Sequence, residues 1–406
     1  MNLPKTAYIL LWFPKPSETF VFREVMNLWE MGMPLKVFTL YGEITAHLSA
    51  EMSGVTDRVE RLGMRSLSRI TGEVFSRLRR DPRHAAAISH IVSLRDWSGF
   101  EKTGENIWAL FCAFHLARRF EEEGIEHIHA PWASGPATAA WIASRLTGIP
   151  FSFTARARDL FTADSVLGEK IRDAAFIRSE TSYNIDYMAS VFGADRRKIH
   201  VTYNGIPLKQ HDEAPVPMQP PYRLSALGRF VGKKGYDHLI VACKIMKDAD
   251  LDFRLTLAGD GPMRHKLHAL VRRLGLNDRV QFPGFLSYDN VPALFRGTDI
   301  FLMPSVVRSS GDRDGIPTVI LEALAYRLPV ISTDVSGISE VIEDRVTGLL
   351  VPQKDPQAIA DAVSQLVHDM ARALQMARQG RARALKQFDA ETNHKRVLEL
   401  YCQYVR

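Results

Sequence analysis

In the stretch "GDRDGIPTVILEALAYRLPVIST" (residues 311–333), two carboxylates straddle a helix start: Asp314 in a loop and Glu322 eight positions later. Pro317 suits the first position of a helix, because its missing N–H would have no partner there. Gly315 and Ile316 then lie just before the N-terminus. The free amides around Gly315–Thr318 attract an anionic group. Glu322 sits about 1.5 turns into the helix, flanked by Ile320, Leu321, Ala323 and Leu324. It points either toward a ligand or into the core, and a glutamate is rarely buried without a partner. A carboxylate there suits a bidentate grip on vicinal hydroxyls such as those of a ribose, and Asp314 would meet a different polyol.

A second loop, "LGRFVGKKGYDHLI" (227–240), follows an expected strand over 222–227. Gly228 and Arg229 come first, then Gly232 and Gly235 bracket Lys233 and Lys234. Glycines let backbone approach a ligand closely, and a cation at a helix start adds to its anion-favouring amides. Arg229 and Lys234 read as a diphosphate clamp, although the spacing is not that of a Walker loop. A third loop, "LAGDGPMRHKL" (257–267), places Gly259, Asp260 and Gly261 before Pro262. An ordinary βα turn is its simpler reading and nucleotide contact the alternative. Two carboxylates, a helix start and an Arg/Lys clamp together describe a nucleotide sugar: ribose, diphosphate, hexose.

Positioning these loops requires strands that deliver them to one edge. Short apolar runs alternate with helical-period segments throughout, the pattern of βαβ units and parallel sheets. Strands are expected at 7–12, 35–39, 127–129, 151–154, 176–178 and 199–202. A second series is expected at 222–227, 254–258, 280–282, 300–303, 330–332 and 349–351. Between the two series, "KQHDEAPVPMQPP" (209–221) breaks the pattern with prolines and reads as a linker. The expected fold class is therefore α/β, with two doubly wound Rossmann-like domains, 1–208 and 222–387, and ligands bound at strand carboxyl ends in an inter-domain cleft. Residues 388–406 close the chain as a helix.

The 406 residues suit two cores, and 46% hydrophobic with 24% charged residues is a globular balance. Three widely spaced cysteines, Cys112, Cys243 and Cys402, form no C-x-x-C pair and imply a reducing compartment without disulfides. The apolar stretch Ala7–Phe13 is too short to span a membrane and has no small-residue cleavage site, so it reads as a first strand in a soluble, cytoplasmic protein. The net charge is +6, and residues 58–83 hold eight arginines against three acids. A solvated helical face is the plain reading of that stretch, and contact with an anionic membrane surface is the functional one. Nucleic acid is not an expected partner, because no aromatic-studded basic sheet accompanies it.

The motifs "LGRFVGKKG", "LAGDGP", "VQFPGFLSYDNVPALFRGTDIFLMPS" and "DGIPTVILEALAYRLPVISTDVSGISEVIEDRVTGLLV" resemble those of the retaining family-4 glycosyltransferases, which have the GT-B fold. The likeness covers residues 222–352. "FPKPSETFVFREV" (13–25), "HIHAPWASGPATAAWIASRLTGIPFSFTARARDLF" (127–161) and "VTYNGIPL" (201–208) are similar to the subset acting in bacterial exopolysaccharide assembly of the colanic-acid kind. The resemblance implies that Glu322 holds the donor ribose and Asp314 the donor sugar. It implies that Arg229 and Lys234 bind the diphosphate and that backbone around Phe282–Gly284 contacts the base. It also implies that the terminal helix crosses back onto the first domain.

The implied reaction moves a hexose from a UDP- or GDP-sugar to a glycan or lipid-linked acceptor with retention at the anomeric carbon. Front-face attack and no catalytic metal are implied, and no Asp-x-Asp motif is present. Relative to the family pattern, Asp314 stands where glutamate is usual and Arg156 where histidine is common. Arginine stays protonated and cannot serve as a base at neutral pH, though it can pair with a phosphate. Ser17 and Glu18, in the loop after the first strand, are acceptor-side candidates together with His129, Arg156 and Asp159. Alternatives are a GT-B nucleotide-sugar epimerase or phosphorylase, and an inactive polysaccharide-assembly binding module. A dinucleotide-dependent oxidoreductase is excluded by "FPKPSET" where G-x-G-x-x-G would stand.

Overall fold

The computed structural model describes residues 3–44, 46, 48–55, 58–80, 82, 100–161, 164–206 and 218–405. Two compact units emerge: Met1–Tyr203 together with Glu391–Arg406, and Asn204–Ala390. Residues 209–217 of the expected linker lie outside the described residues.

The first unit is built on a sheet of seven strands among the described residues: β1 (Thr6–Leu10), β2 (Leu35–Thr39), β3 (Val59–Arg61), β4 (His127–Ala130), β5 (Phe151–Ala155), β6 (Phe176–Ser179) and β7 (Ile199–Val201). Their order is β3-β2-β1-β4-β5-β6-β7, and every pairing is parallel. β1, β4, β5 and β6 are buried at every position, as strands covered by helices on both faces must be. β1 ends at Leu10, two residues short of the expected 7–12, because Leu11–Phe13 bends away toward Pro14. The sequence pattern does not reveal β3, whose three residues include one buried apolar side chain, Val59.

The second unit contains β8 (Tyr222–Leu227), β9 (Phe253–Ala258), β10 (Val280–Gln281), β11 (Ile300–Met303), β12 (Val330–Thr333) and β13 (Leu349–Val351). They are ordered β10-β9-β8-β11-β12-β13, again all parallel. This is the doubly wound order in which the chain leaves the first strand on one side and returns to its other side.

The terminal helix Ala390–Tyr404 packs in the core of the first unit, where Val397, Leu400 and Tyr401 join Tyr8, Leu10, Phe22 and Phe176. Beneath it runs a closed polar network. Arg178 donates two hydrogen bonds to Glu24 (2.8 and 2.7 Å), Tyr8 donates to Glu24 (3.0 Å), and Tyr401 donates to the Tyr8 hydroxyl (3.0 Å). Burial opposes ionisation of Glu24, but the Arg178 guanidinium outweighs it and holds the carboxyl far below its ordinary range.

Candidate functional site

The second sheet has its topological switch point between β8 and β11, and ligands of open α/β sheets bind outside the carboxyl ends there. The loop after β8 carries Gly228, Arg229 and a 3₁₀ turn, Gly232–Lys234. The loop after β11 runs from Pro304 to Pro317. The two are laced together: the Val306 amide donates to the Lys233 carbonyl (2.8 Å). Gly235 has φ +65, and a Cβ there would come within 2.0 Å of the Pro304 carbonyl oxygen, so only glycine allows this approach. Gly259 does the same for the loop after β9, where a Cβ would lie 2.0 Å from the Gly228 carbonyl oxygen. Gly261 packs likewise on Phe230. These glycines bring three loops into contact.

Lys234 and Asp314 meet in this junction. Lys234 Nζ lies 3.0 Å from Asp314 Oδ2 and Lys233 Nζ 3.7 Å from Oδ1. The Ser305 hydroxyl donates to Asp314 Oδ2 (2.7 Å). Lys233 is also held by Asp312 (3.1 Å) and by the Arg313 carbonyl (3.2 Å). Burial would raise the Asp314 pKa, yet Lys234, Lys233 and the Ser305 hydroxyl together depress it below the ordinary value, so the carboxylate is ionised. Arg229 is exposed on the same loop and has no ion pair among the described residues.

The Tyr236 side chain is 2% exposed, and its hydroxyl finds no hydrogen-bond partner among the described residues. Burial and the Asp314 charge push its pKa well above the ordinary phenol value. A Cβ built on Gly228 would sit 2.8 Å from this hydroxyl and 3.5 Å from Lys234 Cε, which places the orphan group at the clamp.

Helix Thr318–Ala325 begins one residue later than its sequence suggests: Pro317 is the N-cap, with extended backbone and no capping side chain. Gly315, Ile316 and Pro317 are buried. Glu322 lies on the half-buried face with Thr318, Val319 and Tyr326, whereas Ile320, Leu321, Ala323, Leu324 and Ala325 fill the core. It is therefore not turned into packed hydrocarbon. Phe282 stacks on His268 (centroids 4.0 Å apart) and meets Phe230 edge-on. The Gly284 carbonyl accepts from the Gly259 amide (2.8 Å). Ser305, Tyr236 and Arg308, whose guanidinium rests against Gly232, escaped the motif reading. Ser305 is recoverable from its place two residues after β11.

The acceptor-side candidates occupy the first unit. Ser17 is exposed. Glu18 accepts from Lys15 (2.5 Å) and from the Trp132 indole (3.1 Å), joining the loops after β1 and β4. The structure corrects the reading of His129. Its ring is wholly buried, hydrogen-bonded to Ser152 (2.7 Å) and Thr154 (3.1 Å), and burial drives its pKa well down. It is a core histidine.

Arg156 is 2% exposed and lies under the Phe20 and Trp132 rings. It donates to Glu180 (2.9 Å) and to the Pro131 carbonyl (3.0 Å). Residues following β1, β4, β5 and β6 thus converge on one guanidinium, and Glu180 supplies it with an internal counter-charge. Asp159 accepts the Arg156 amide (3.0 Å) and the Ala133 amide. Burial raises its pKa to about 6, against the Ala133 amide and the Arg156 charge.

Comparison with known proteins agrees with this architecture. The chain superposes on Anabaena HepE in complex with UDP and glucose with a TM-score of 0.72, covering 98% of this chain and 100% of that one at 17% identity. At that identity the likeness concerns the fold: two parallel-sheet Rossmann-like units of GT-B type. Residues 209–383 match the family described as glycosyl transferases group 1. That match falls within the second unit. The putative colanic acid biosynthesis glycosyltransferase WcaL of Escherichia coli is 37% identical over 181 residues, 44% of this chain and 45% of that protein. Over that alignment the chain spans about half the relative's length. WcaL of Salmonella typhimurium is 26% identical over 384 residues, 90% of this chain and 92% of that protein.

Proposed function

We propose that the chain is a retaining hexosyltransferase. It would move a hexose from a nucleoside-diphosphate sugar to a glycan or lipid-linked oligosaccharide in bacterial exopolysaccharide synthesis, without a metal. The observation that carries this reading is the Lys234–Asp314 contact at the second switch point. It sets a cation and an ionised carboxylate beside the uncapped start of a helix whose half-buried face bears Glu322. Support for the acceptor class comes from the similarity to WcaL, a putative colanic acid biosynthesis glycosyltransferase, and for a nucleotide donor from the UDP complex of HepE. A cytoplasmic location is part of the proposal, in keeping with the free cysteines Cys112, Cys243 and Cys402.

In this reading the donor diphosphate lies against Lys234, Arg229 and the amides around Gly315–Thr318. Glu322 takes the ribose hydroxyls and Asp314 a hydroxyl of the transferred sugar. As the bond between the anomeric carbon and the phosphate oxygen breaks, negative charge grows on the departing diphosphate. Lys234 is already oriented by Asp314, so little reorganisation is needed when that charge appears. The acceptor hydroxyl attacks from the same face and passes its proton to the leaving phosphate.

Melting the protein against a panel of nucleotide sugars tests the donor, since a bound donor raises stability by mass action. Transfer assays on Asp314→Ala and Glu322→Ala test the site. Unchanged transfer by both variants rules it out.

A further inference from the structure

We propose that the outer face of helix Leu67–Arg80, with the turn Met64–Ser66 before it, is a docking surface for an anionic lipid bilayer. The proposal is independent of the glycosyl-transfer reading. The inner face of this helix is spent on the fold: Ile70 is fully buried, and Val74 and Leu78 pack on the first unit's core. Its charged residues on that side are matched by helix Phe100–Glu123. Arg77 pairs with Glu121 (3.1 Å) and donates to the Leu146 carbonyl (3.0 Å), and Glu73, the helix's one acid, pairs with Arg118.

The opposite face has no such partners among the described residues. Ser68, Gly72, Phe75 and Arg79 follow one another at helical spacing and are all exposed, Phe75 by 67%. Met64 (75%) and Leu67 (42%) stand exposed at the start of the helix. Around these apolar groups lie Arg65, Arg69, Arg79 and Arg80, all exposed and none in an ion pair among the described residues.

The neighbouring helix, Phe100–Glu123, also carries exposed apolar side chains. The pairs Arg77–Glu121 and Glu73–Arg118 have sequence separations of 44 and 45, so the two helices run parallel in a fixed register. That register sets Ile107 and Phe111, exposed by 37% and 38%, level with the Met64–Leu67 end. Large apolar side chains ringed by uncompensated arginines match the chemistry of an anionic membrane surface. The rings and thioether enter the headgroup boundary while the guanidinium groups meet lipid phosphates. Nucleic acid would use the arginines and leave Phe75, Met64 and Leu67 without a role.

The experiment is co-sedimentation of the full chain with vesicles of phosphatidylcholine alone and of phosphatidylcholine with about 30% phosphatidylglycerol, read without donor or acceptor. Binding is expected to the anionic vesicles only, and to be lost in high salt as exposed charges are screened. Changing Arg65, Arg69, Arg79 and Arg80 to Gln should reduce partitioning on the order of 10²–10³-fold. Phe75→Ser should reduce it roughly tenfold. Both variants should melt as the wild type does, because the altered side chains are exposed. The proposal is overturned by sedimentation with neither vesicle, by equal sedimentation with both, or by unchanged binding in both variants. A lowered melting temperature in Phe75→Ser also overturns it, since Phe75 would then pack against the chain itself.

Discussion

The two units carry the same kind of switch point and use it in opposite ways. In the first, between β1 and β4, Glu18, Arg156 and Asp159 each have partners inside the unit. Glu18 is held by Lys15 and Trp132, Arg156 by Glu180 and Pro131, and Asp159 by two amides. In the second, between β8 and β11, polar valence is left over. Tyr236 has an orphan hydroxyl, Arg229 stands exposed, and helix Thr318–Ala325 starts without a capping side chain. Topology alone thus does not make a binding site. What distinguishes the second switch point is an ion pair, Lys234–Asp314, set among an orphan hydroxyl, an exposed cation and a helix start without a capping side chain.

Four measurements break or sharpen that contrast. The largest effect is expected in the closed network. Glu24→Gln leaves Arg178 buried without its counter-charge and should cost about 3–5 kcal/mol of stability, read by denaturant unfolding. The linked pH dependence has a definite sign. Because the folded-state pKa of Glu24 is depressed, its contribution is present above the ordinary carboxylate range and is lost as pH falls through and below it. The wild type should therefore lose more stability on acidification than Glu24→Gln does.

Next comes Lys234→Ala. In a transfer assay turnover should fall on the order of 10²–10³-fold if Lys234 carries leaving-group charge. A fall of less than tenfold breaks the proposed role.

Tyr236→Phe should move stability and binding in opposite directions. Removing an unsatisfied buried hydroxyl raises the melting temperature of the free protein, a gain of about 1–3 kcal/mol. Nucleotide affinity, measured by calorimetry, should weaken by about 0.5–1.5 kcal/mol if the hydroxyl meets the donor. The smallest effect is that of Arg229→Ala on the free protein, within about 0.5 kcal/mol, since the side chain is exposed and has no ion pair among the described residues. Its affinity for nucleotide should nevertheless drop, and a matching drop in stability would place Arg229 with the closed pairs of the first unit.

Chain order, the parallel character of both sheets and the loops after β8 and β11 were legible because buried strands between glycine-rich turns write apolar runs into the sequence. β2, β8, β11 and β13 occupy the expected residues. β3 was not legible, because three residues give no period, and its neighbourhood reads as a charge run. Lys234, Asp314 and Glu322 stood out by residue type, since a lysine between glycines and carboxylates beside apolar runs are locally anomalous.

His129 and Arg156 looked alike from the sequence, each a polar residue at the end of an apolar strand. Only packing separated a wholly buried imidazole from a guanidinium that gathers four loops. The sequence by itself determined which side chains arrive at the carboxyl ends of which strands, because period and turn chemistry are local. Whether each arrives with its hydrogen-bonding capacity spent or still open depends on partners 24 to 154 residues away, such as Glu180 for Arg156 and Glu24 for Arg178. Those partners meet only when the sheet order brings their strands together, and that the tertiary structure decided.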